Sequence, residues 1–391
     1  MQKVNKKIKV LTIINSLNLG GIEKTMLSGL NYIDDSQIEM LYCCFSKGGA
    51  LEEEYKSKGA KILYIKKTGL ILLDFLQLLA IIFKNNIDLV HSRFAFTSGG
   101  FVLASKALRR KMIVSIHSTS PTSFRKFKKY LFIYRLLQLH LKVHRYLTLR
   151  YADKIIGHSK ANLNAFLEKW KDDERFILLY NGIDFENLER QPKEDSNLAD
   201  FVKNSHFVFL HIGSFRLPKN HFFLLKVFKS LLQDYPNSKL ILVGDGELLE
   251  KAISLSKDLG IAKWVKFVGN DNEIRKYFTY SDLFIFPSLY EGFGNVVLEA
   301  QYFGIPVIAS KIPALMESSF IDYQKYFFDP TDENEAAQNI KKILNDLKSH
   351  HLEDTLKKAK KHTEENFAVE NMMQELSNIY IKSIEVNQPQ L

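Results

Sequence analysis

The sequence is short of several residue types, and each shortage narrows what the protein can be. Only two of its 391 residues are cysteines, Cys43 and Cys44, and they are adjacent. Because neighbouring residues of a strand point to opposite faces, we expect no disulfide between them. They predict buried thiols in a reducing, cytoplasmic compartment. With 9 prolines and 19 glycines, the chain has no long segment with the composition of a disordered polypeptide.

Long hydrophobic runs are also lacking. The most hydrophobic stretch, residues 70–83, spans 14 residues and includes Asp74 and Gln77, so it is too short for a membrane span. The basic and then apolar start superficially resembles a secretion signal. However, Lys9 and Asn15 interrupt its apolar part and no small-residue cleavage site follows, so this start predicts a first buried strand instead.

Positive charge is unevenly distributed along the chain. The net charge is +10, and residues 1–190 hold 31 Lys and Arg against 17 Asp and Glu. Residues 124–150 carry eight Lys and Arg, no acid, and many aromatic and leucine side chains. This composition predicts a basic amphipathic helix that could lie on an anionic membrane surface. A core helix with a solvated basic face is the alternative, and no nucleic-acid-binding motif accompanies the segment, so nucleic acid is not an expected partner.

Short apolar runs rich in Ile and Val alternate with longer helical patterns. The runs lie at 8–14, 39–45, 62–65, 89–91, 112–117 and 154–157, and then at 207–212, 239–243, 265–268, 283–286 and 307–308. Their hydrophobicity is continuous rather than alternating, which predicts strands buried on both faces, as in parallel sheets of doubly wound α/β domains. The polar segment 184–206 between the two series predicts a domain boundary.

The stretch LYEGFGNVVLEA, residues 289–300, contains two glutamates eight positions apart. The preceding run predicts a strand that ends at Pro287, and Asn295 is the predicted N-cap of a short helix that Gly304 closes. Glu291 is therefore expected on a loop at the carboxyl end of a strand, and Glu299 one turn into the helix.

Two glycines behind Glu291 let the backbone approach a ligand, and the helix start adds N–H groups that favour an anion. An anion site with a carboxylate on each side suits a sugar nucleotide, in which a diphosphate separates two sets of hydroxyls. A solvated loop followed by an ordinary surface helix is the alternative interpretation.

Three other strand ends carry residues of interest. Gly20 and Gly21 follow the first strand and could admit a phosphate or another ligand at a helix start, although a flexible turn would have the same sequence. This is not a G-x-G-x-x-G fingerprint, so nothing indicates NAD. His117 ends another strand, where parallel-sheet domains place functional residues. His91 and Arg93 end an earlier strand and are weaker candidates for lining an acceptor site.

Motifs in a fixed order along almost the whole chain resemble family 4 of the retaining glycosyltransferases. They are NLGGIEK, DLVHSR, SIHSTS, IIGHSK, YNGID, GSFRLPKNH, LVGDGE, FVGND and PSLYEGFGNVVLEAQYFGIPVIAS, the last of which is similar to the family's E-x7-E signature. The resemblance implies an α/β protein of the GT-B fold, with two Rossmann-like doubly wound parallel-sheet domains facing a central cleft. Residues 1–190 would bind the acceptor, residues 191–365 would bind the donor, and a helix in 366–391 would pack back on the first domain.

The same resemblance implies the activity. The protein would transfer a sugar from a nucleoside-diphosphate donor, expected to carry UDP, to a hydroxyl of a polyprenyl-linked or other glycan acceptor, with retention at the anomeric carbon. It would act in bacterial surface polysaccharide assembly, in the cytoplasm or at the inner face of the plasma membrane. No general base, D-x-D pattern or His/Cys cluster at zinc spacing stands out, so we expect neither a metal nor another cofactor.

Individual residues acquire roles from the resemblance. Glu291 would contact the donor sugar, Glu299 would hold the ribose hydroxyls, and His117 would lie near the transferred sugar. The backbone from Gly292 to Val296 would line the sugar and phosphate site, and Lys219 would bind phosphate. The complete set of expected donor-binding positions is Gly20, Gly21, Gly213, Gly244, Asp245, Val268, Gly292, Phe293, Gly294, Asn295, Val296 and Glu299.

One position departs from the family pattern. The family usually has arginine directly after Gly213, whereas this chain has Ser214, and Arg216 is the nearest candidate to replace that arginine. The departure keeps open a catalytically impaired relative that binds sugar nucleotides without turnover. A periplasmic solute-binding protein is a further alternative, and the absence of a recognisable signal peptide and of an expected disulfide counts against it. A binder of anionic surfaces or nucleic acid is another. Such a binder would show salt-dependent binding that sugar nucleotides do not affect.

Overall fold

The structure is a computed structural model that describes residues 7–18, 20–66, 68–118, 131–189, 195–271 and 273–385. The chain divides into two units. Unit 1 comprises Met1–Asp184 and Val369–Leu391, and unit 2 comprises Phe185–Ala368. Within these described ranges, no helix combines the length and the apolar character that crossing a membrane requires.

Unit 1 is built on a parallel sheet. Its described strands are β1 (Ile8–Ile14), β2 (Ile38–Cys44), β3 (Lys61–Tyr64), β4 (Leu89–Ser92), β5 (Lys111–Ile116), β6 (Lys154–Gly157) and β7 (Phe176–Leu178). They lie in the order β3-β2-β1-β4-β5-β6-β7, and neighbouring strands run parallel. The order reverses between β1 and β4, so the loops after these two strands diverge and leave a crevice at the carboxyl edge of the sheet.

The helices of unit 1 cover both faces of this sheet. They are α1 (Gly21–Gly29), α2 (Glu52–Ser57), α3 (Ile71–Asn85), α4 (Gly99–Ala107), α5 (Leu131–Tyr151) and α6 (Lys160–Phe166). Cys43 belongs to the core on one face and Cys44 to the core on the other, and both are free and buried. The prediction that they point to opposite faces is therefore confirmed. Burial raises the pKa of the Cys44 thiol to about 12.

Unit 2 has a smaller parallel sheet. Its described strands are β8 (Val208–Ile212), β9 (Lys239–Val243), β10 (Val265–Gly269), β11 (Leu283–Phe286) and β12 (Val307–Ala309). Their order is β10-β9-β8-β11-β12, which reverses between β8 and β11. Phe209 and Leu210 of β8 pair directly with Leu283 and Phe284 of β11, so the loops after these two strands start side by side.

Helices surround this second sheet as well. They are α7 (Phe185–Glu189), α8 (Ser196–Val202), α9 (His221–Asp234), α10 (Leu249–Asp258), α11 (Arg275–Thr279), α12 (Asn295–Tyr302), α13 (Pro313–Ser318), α14 (Glu333–Lys348) and α15 (Glu353–Asn366). The last described helix, α16 (Val369–Glu385), belongs to unit 1 and packs against α1. The polar segment predicted as a boundary contains α7 and α8, while residues 190–194 lie outside the described part.

The predicted fold class is confirmed by these two doubly wound parallel sheets. Each predicted strand is present within one or two residues of its expected ends. The strand β7 was not predicted, because three residues are too few for a periodic pattern.

Candidate functional site

The carboxyl edge of the unit 2 sheet carries the strongest candidate site. Lys219 lies in the helical turn Leu217–Lys219 between β8 and α9, and Glu291 lies in the loop between β11 and α12. These two loops leave the strands that border the reversal of strand order, so the topology brings them together. The Lys219 Nζ atom donates to Glu291 Oε1 over 2.5 Å. The side chains are 20% and 12% exposed, so the pair is shielded but still reachable from solvent.

The Lys219 ammonium group lies over an aromatic ring. The Lys219 Nζ atom lies 4.6 Å from the centre of the Phe286 ring, at the end of β11. A cation over a ring face is attracted by the ring quadrupole, which fixes the ammonium group in place. The lysine thus has a carboxylate on one side and a π face on another.

Two histidines lie beneath this cation and were not identified from the sequence. His211, in β8, stacks on Phe286, and its Nδ1 lies 2.9 Å from the backbone oxygen of Ile285. His221, at the start of α9, stacks on Phe215 with ring centres 3.9 Å apart. Burial lowers the pKa of His221 to about 4, and the nearby Lys219 adds to this effect. Burial likewise places the pKa of His211 well below its usual value.

Because both histidines are neutral, Lys219 carries the positive charge in this group of side chains. Because His211 donates Nδ1–H to a carbonyl, its Nε2 is an acceptor, and it has no hydrogen-bond partner within the described ranges. The signal in the sequence was a single polar residue inside the apolar run FVFLHIG. Such a histidine is most often structural, so the sequence alone gave no reason to select it.

The turns after β8 and β9 pack backbone against backbone. Gly244 has φ +140°, and a Cβ atom there would lie 2.2 Å from the Gly213 oxygen. The Phe215 N–H donates to the Asp245 oxygen over 2.9 Å, which ties the two turns together. Asp245 is exposed, and Val268 is half-buried in β10 beside β9. A side chain at Gly244 would therefore separate turns that must touch.

The start of α12 corrects one prediction. The N-cap is Gly294, with φ +97°, and Asn295 is the first helical residue rather than the cap. The left-handed backbone at this position favours glycine, and a Cβ atom there would lie 2.6 Å from Leu315 Cδ2. The helix ends at Tyr302 and Gly304 follows with φ +70°, as predicted for its closure. Glu299 is half-buried in the second turn.

Arg216 and Ser214 are both exposed in the turn after β8. The Lys219 N–H donates to the Arg216 oxygen over 3.0 Å, so the arginine lies one short helical turn before the lysine. The backbone thus places a second cation close to the site, while the side chain extends into solvent.

In unit 1, Gly20 and Gly21 form the start of α1, and the chain's own carboxylate occupies this position. A Cβ atom at Gly20 would lie 2.1 Å from Glu23 Oε2, so the Glu23 side chain folds back over the glycine. Burial raises the pKa of Glu23, whereas its own backbone N–H and the charge of Arg93 oppose that rise. Any anionic ligand at this helix start would have to displace the glutamate.

A buried polar network lies at the same edge of the unit 1 sheet. His91, in β4, contacts Tyr380 of α16 over 2.6 Å through Nδ1 and Ser115 over 2.7 Å through Nε2. The Arg93 guanidinium is 7% exposed and donates through Nη2 to Met26 Sδ over 2.8 Å. The contact between His91 and Tyr380 joins residues 289 positions apart, which no sequence pattern could have shown.

His117 directly follows β5 beside this network, at the strand end predicted from the sequence. Its ring stacks on His158 with centres 4.2 Å apart. Burial lowers the pKa of His117 well below its usual value, and His158 and Arg93 reinforce the effect. Its Nε2 atom is buried and has no hydrogen-bond partner in the part of the chain that the structure describes. A neutral imidazole with an unused nitrogen at a strand end can exchange a hydrogen bond with a hydroxyl group of a ligand.

The predicted site residues therefore fall into two groups. Gly20, Gly21 and His117 lie in unit 1, and the others lie along the carboxyl edge of the unit 2 sheet. The structure brings Lys219 and Glu291 into direct contact and leaves Arg216 exposed beside them. Among the described residues, no group of three or more His, Cys, Asp or Glu could hold a metal ion.

Comparisons with known proteins identify the family of the chain. The family model "Glycosyltransferase Family 4" matches residues 19–187, and "Glycosyl transferases group 1" matches residues 194–362, so the two together span most of the chain. The "Capsular polysaccharide biosynthesis glycosyltransferase CapH" of Staphylococcus aureus is 28% identical over 386 residues, covering 96% of this chain and 99% of that protein.

Two further proteins extend the comparison. The "UDP-Gal:alpha-D-GlcNAc-diphosphoundecaprenol alpha-1,3-galactosyltransferase" of Escherichia coli is 24% identical over 328 residues, covering 80% of this chain and 81% of that protein. The crystal structure of Anabaena Alr3699/HepE in complex with UDP and glucose is 23% identical, with a TM-score of 0.77, and covers 96% of this chain and 100% of that one. The structural likeness shows a shared fold.

Proposed function

The chain belongs to family 4 of the glycosyltransferases, and we propose that it transfers a sugar from a UDP-sugar to a hydroxyl of a lipid-linked glycan, with retention, in bacterial surface polysaccharide assembly. It is a glycosyltransferase; the donor, the acceptor and the stereochemistry are the proposal. The observation that carries it is the pair formed by Lys219 and Glu291 at the carboxyl edge of the unit 2 sheet.

The pair explains how the site accepts a donor. A diphosphate offers more negative charge than one carboxylate, so it would attract Lys219 away from Glu291. The released carboxylate would then accept hydrogen bonds from hydroxyls of the donor sugar. During transfer, negative charge grows on the leaving phosphate oxygen, and a fixed ammonium group stabilises that charge more than it stabilises the bound donor.

The rest of the donor would lie along the carboxyl edge of the unit 2 sheet. Glu299, in the second turn of α12, would hold the ribose hydroxyls, and the backbone from Gly292 to Val296 would line the sugar and phosphates. The base would lie beside Val268, near the turns of Gly213, Gly244 and Asp245. UDP is the proposed nucleotide because the relative from E. coli is named for UDP-Gal and the structural neighbour was solved with UDP.

Retention requires no basic side chain at the reacting carbon in this proposal. His117 is neutral, and its free Nε2 would orient a hydroxyl of the transferred sugar or of the acceptor. The departing phosphate oxygen would take the proton of the acceptor hydroxyl. The two glutamates Glu291 and Glu299 are not assigned the roles of a glycosidase pair.

A lipid-linked acceptor would place the enzyme at the inner face of the plasma membrane. The relatives named for capsular polysaccharide and for a diphosphoundecaprenol acceptor support this assignment. The basic segment 124–150 was predicted to contact anionic lipid. Its first seven residues lie outside the described part, and the remainder lies within α5.

The test is the release of nucleoside diphosphate from UDP-, GDP- and ADP-sugars, with and without a membrane lipid extract. We expect release from a UDP-sugar that the extract stimulates and that Glu291→Ala abolishes. Glu365→Ala is the matched control, because this exposed glutamate pairs with Lys361 on the surface of α15. The anomeric configuration of the product, measured by NMR coupling constants, tests retention, and an inverted product would reject it.

No release from any donor, combined with a nucleotide-dependent rise of the melting temperature, would favour the impaired binding protein instead. No effect of any sugar nucleotide on the melting temperature would overturn the donor assignment itself.

A further inference from the structure

The exposed apolar side chains of the protein are concentrated in one part of unit 1. Of the thirteen large hydrophobic side chains that are exposed among the described residues, eleven belong to α3, to α5 or to the N-cap of α3. They are Leu70, Leu72, Leu73, Leu76, Phe83, Phe132, Ile133, Leu136, Leu139, Val143 and Tyr146. Soluble monomers rarely leave so many apolar groups together in water, which indicates an interaction surface. We call these eleven residues the α3–α5 face.

The helix α3 carries apolar side chains on both its inner and its outer side. Leu72, Leu76 and Phe83 recur at helical spacing on its outer side, and the Phe83 side chain is 77% exposed. Its one acid, Asp74, is buried on the inner side and accepts a hydrogen bond from Thr68 Oγ1 over 2.5 Å. Leu78 and Ile82 are fully buried on the inner side, so packing against the core does not account for the apolar residues on the outer side, where a helix that faces water would carry polar ones. The arrangement fits an outer side that contacts an apolar phase.

The helix α5 also exposes apolar side chains on its outer side. Its inner side carries the buried residues Leu141, His144 and Thr148. The His144 Nδ1 accepts the Gly99 N–H over 2.9 Å, and its Nε2 contacts His140 Nε2 over 3.0 Å. Burial lowers the pKa of His144 to about 4, so the inner side remains uncharged near neutral pH. The outer side combines apolar side chains, with Phe132 at 74% exposure, and the exposed cations Arg135, Lys142 and Arg150.

The start of α4 holds α3 and α5 close together. A Cβ atom at Gly100 would lie 2.5 Å from the Ile71 oxygen at the start of α3, and one at Gly99 would lie 2.9 Å from His144 Nδ1 of α5. Two successive glycines thus let both helices approach the same turn. The Gly69 backbone, just before α3, also hydrogen-bonds His144. The start of α3 and the part of α5 around His144 therefore meet at the same turn.

The charge of this surface indicates what covers it. Residues 131–151 contain Arg135, Lys142, Arg145 and Arg150 and no acid. Lys84 is exposed near the end of α3, whose only carboxylate is the buried one. A second copy of the chain would set this basic surface against itself, and like charges in contact oppose association. An anionic bilayer satisfies both properties, with acyl chains for the leucines and phosphates for the arginines.

We propose that α3 and α5 form a membrane-docking face, in which both helices insert apolar side chains among the acyl chains and α5 also supplies the cationic contacts with lipid phosphates. This extends the docking proposed for segment 124–150 to a helix outside it, and it rests on the proposed function only for the biological purpose of docking. The face is distinct from the donor site, which lies in unit 2.

Binding of the full chain to vesicles tests the proposal. The vesicles are phosphatidylcholine with and without phosphatidylglycerol, and binding is measured at low and at high salt. We expect binding to the anionic vesicles, with a salt-resistant fraction that represents the apolar insertion. The triple variant Leu72→Ser/Leu76→Ser/Phe83→Ser should bind at least tenfold more weakly and lose that fraction. Ile321→Ser is the control, because Ile321 is an equally exposed apolar residue of unit 2.

The charge contribution is tested separately. Arg135→Gln/Lys142→Gln/Arg150→Gln should lose the salt-sensitive part of the binding and retain the salt-resistant part. The serine variants keep the inner sides of the helices unchanged, and circular dichroism and the melting temperature verify that they fold. Light scattering verifies the oligomeric state. Tight self-association that the serine variant abolishes, without any vesicle binding, would overturn the membrane proposal in favour of a second copy.

A tryptophan probe separates α3 from α5. Phe83→Trp and Phe132→Trp each place a reporter in the face, and brominated lipids quench tryptophan that reaches the acyl chains. We expect quenching in both variants and none in Ile321→Trp. Quenching in Phe132→Trp alone would leave docking by α5 intact and overturn the role of α3. Because vesicle binding needs no sugar nucleotide, failure of docking and failure of the transferase assay are independent results.

Discussion

The two units hold charge differently at the same edge of their sheets. In unit 2, Lys219 and Glu291 form a half-shielded ion pair on two loops. In unit 1, His91 and Arg93 are buried, His117 is half-buried, and burial lowers the pKa of both histidines well below its usual value, so the imidazoles are neutral. A loop ion pair can exchange partners when a charged ligand arrives, whereas neutral imidazoles can only exchange hydrogen bonds. The difference suits a charged donor in unit 2 and a neutral hydroxyl group in unit 1.

The largest effect is expected from breaking the charged pair. Lys219→Met should lower kcat/KM for transfer by roughly 100- to 1000-fold, the loss typical of removing one group that stabilises developing negative charge. Glu291→Gln should cause a similar loss because the sugar is no longer held. Since both residues act on one donor, the double variant should lose far less than the product of the single losses.

Kinetic measurements on the four members of this cycle test the pair. Lys361→Met is the control, because Lys361 contacts Glu365 over 3.7 Å on the exposed surface of α15. Strictly multiplicative losses would show that the two residues act independently, and the exchange of partners would then be wrong.

The next largest effect is expected at His117, one of the neutral histidines of unit 1. His117→Ala removes a hydrogen bond to a hydroxyl group and should lower kcat by roughly tenfold to 100-fold. Because burial keeps the pKa of His117 well below its usual value, the wild-type enzyme should show no loss of kcat near pH 6.5 from this residue. A pH profile with a step near 6.5 that disappears in His117→Ala would contradict the neutral assignment.

The contrast also shows where the sequence was informative. Continuous Ile and Val runs specified the strands, and the family-like order of motifs located Glu291 and Lys219, because both depend on local spacing. Asn295 was assigned wrongly as an N-cap because the preceding Gly294 caps the helix through its backbone conformation rather than through a side chain.

The remaining features depend on tertiary contacts. His91 contacts Tyr380 across 289 positions, and Glu23 folds back over Gly20 in a way that composition does not reveal. In α3 the apolar run was visible in the sequence, but the burial of Asp74 decides which side faces outward. The sequence therefore predicted elements and motifs better than it predicted partners and orientations.

The pH dependence of the free energy of unfolding compares the buried His158 with the exposed His351. Burial lowers the pKa of His158 to about 3 from an ordinary value near 6.5, so the unfolded chain binds its proton first as pH falls. The contribution to stability is complete above the ordinary value and is lost progressively as pH falls below it. At about pH 5, the free energy of unfolding should be about 2 kcal/mol lower than at neutral pH because of this single residue.

Urea unfolding between neutral and acidic pH measures this loss. His158→Gln should flatten the pH dependence by that amount, whereas His351→Gln, at a 73% exposed side chain, should leave it unchanged. An unaltered slope in His158→Gln would show that this histidine does not remain neutral in the folded protein.

The smallest effect is expected at Arg216 and Ser214, where the chain departs from the family pattern. Arg216 is exposed one short turn before Lys219, and Ser214 stands where the family resemblance implies an arginine. If Arg216 supplies the missing cation, Arg216→Ala should lower kcat/KM by roughly threefold to tenfold, the range of a solvent-exposed charge contact with an anion. Adding Ser214→Arg to that variant should restore the activity, while Ser214→Arg alone should change little. A Ser214→Arg variant that instead gains activity well above wild type would show that Arg216 does not replace the arginine, and that Lys219 alone holds the phosphate.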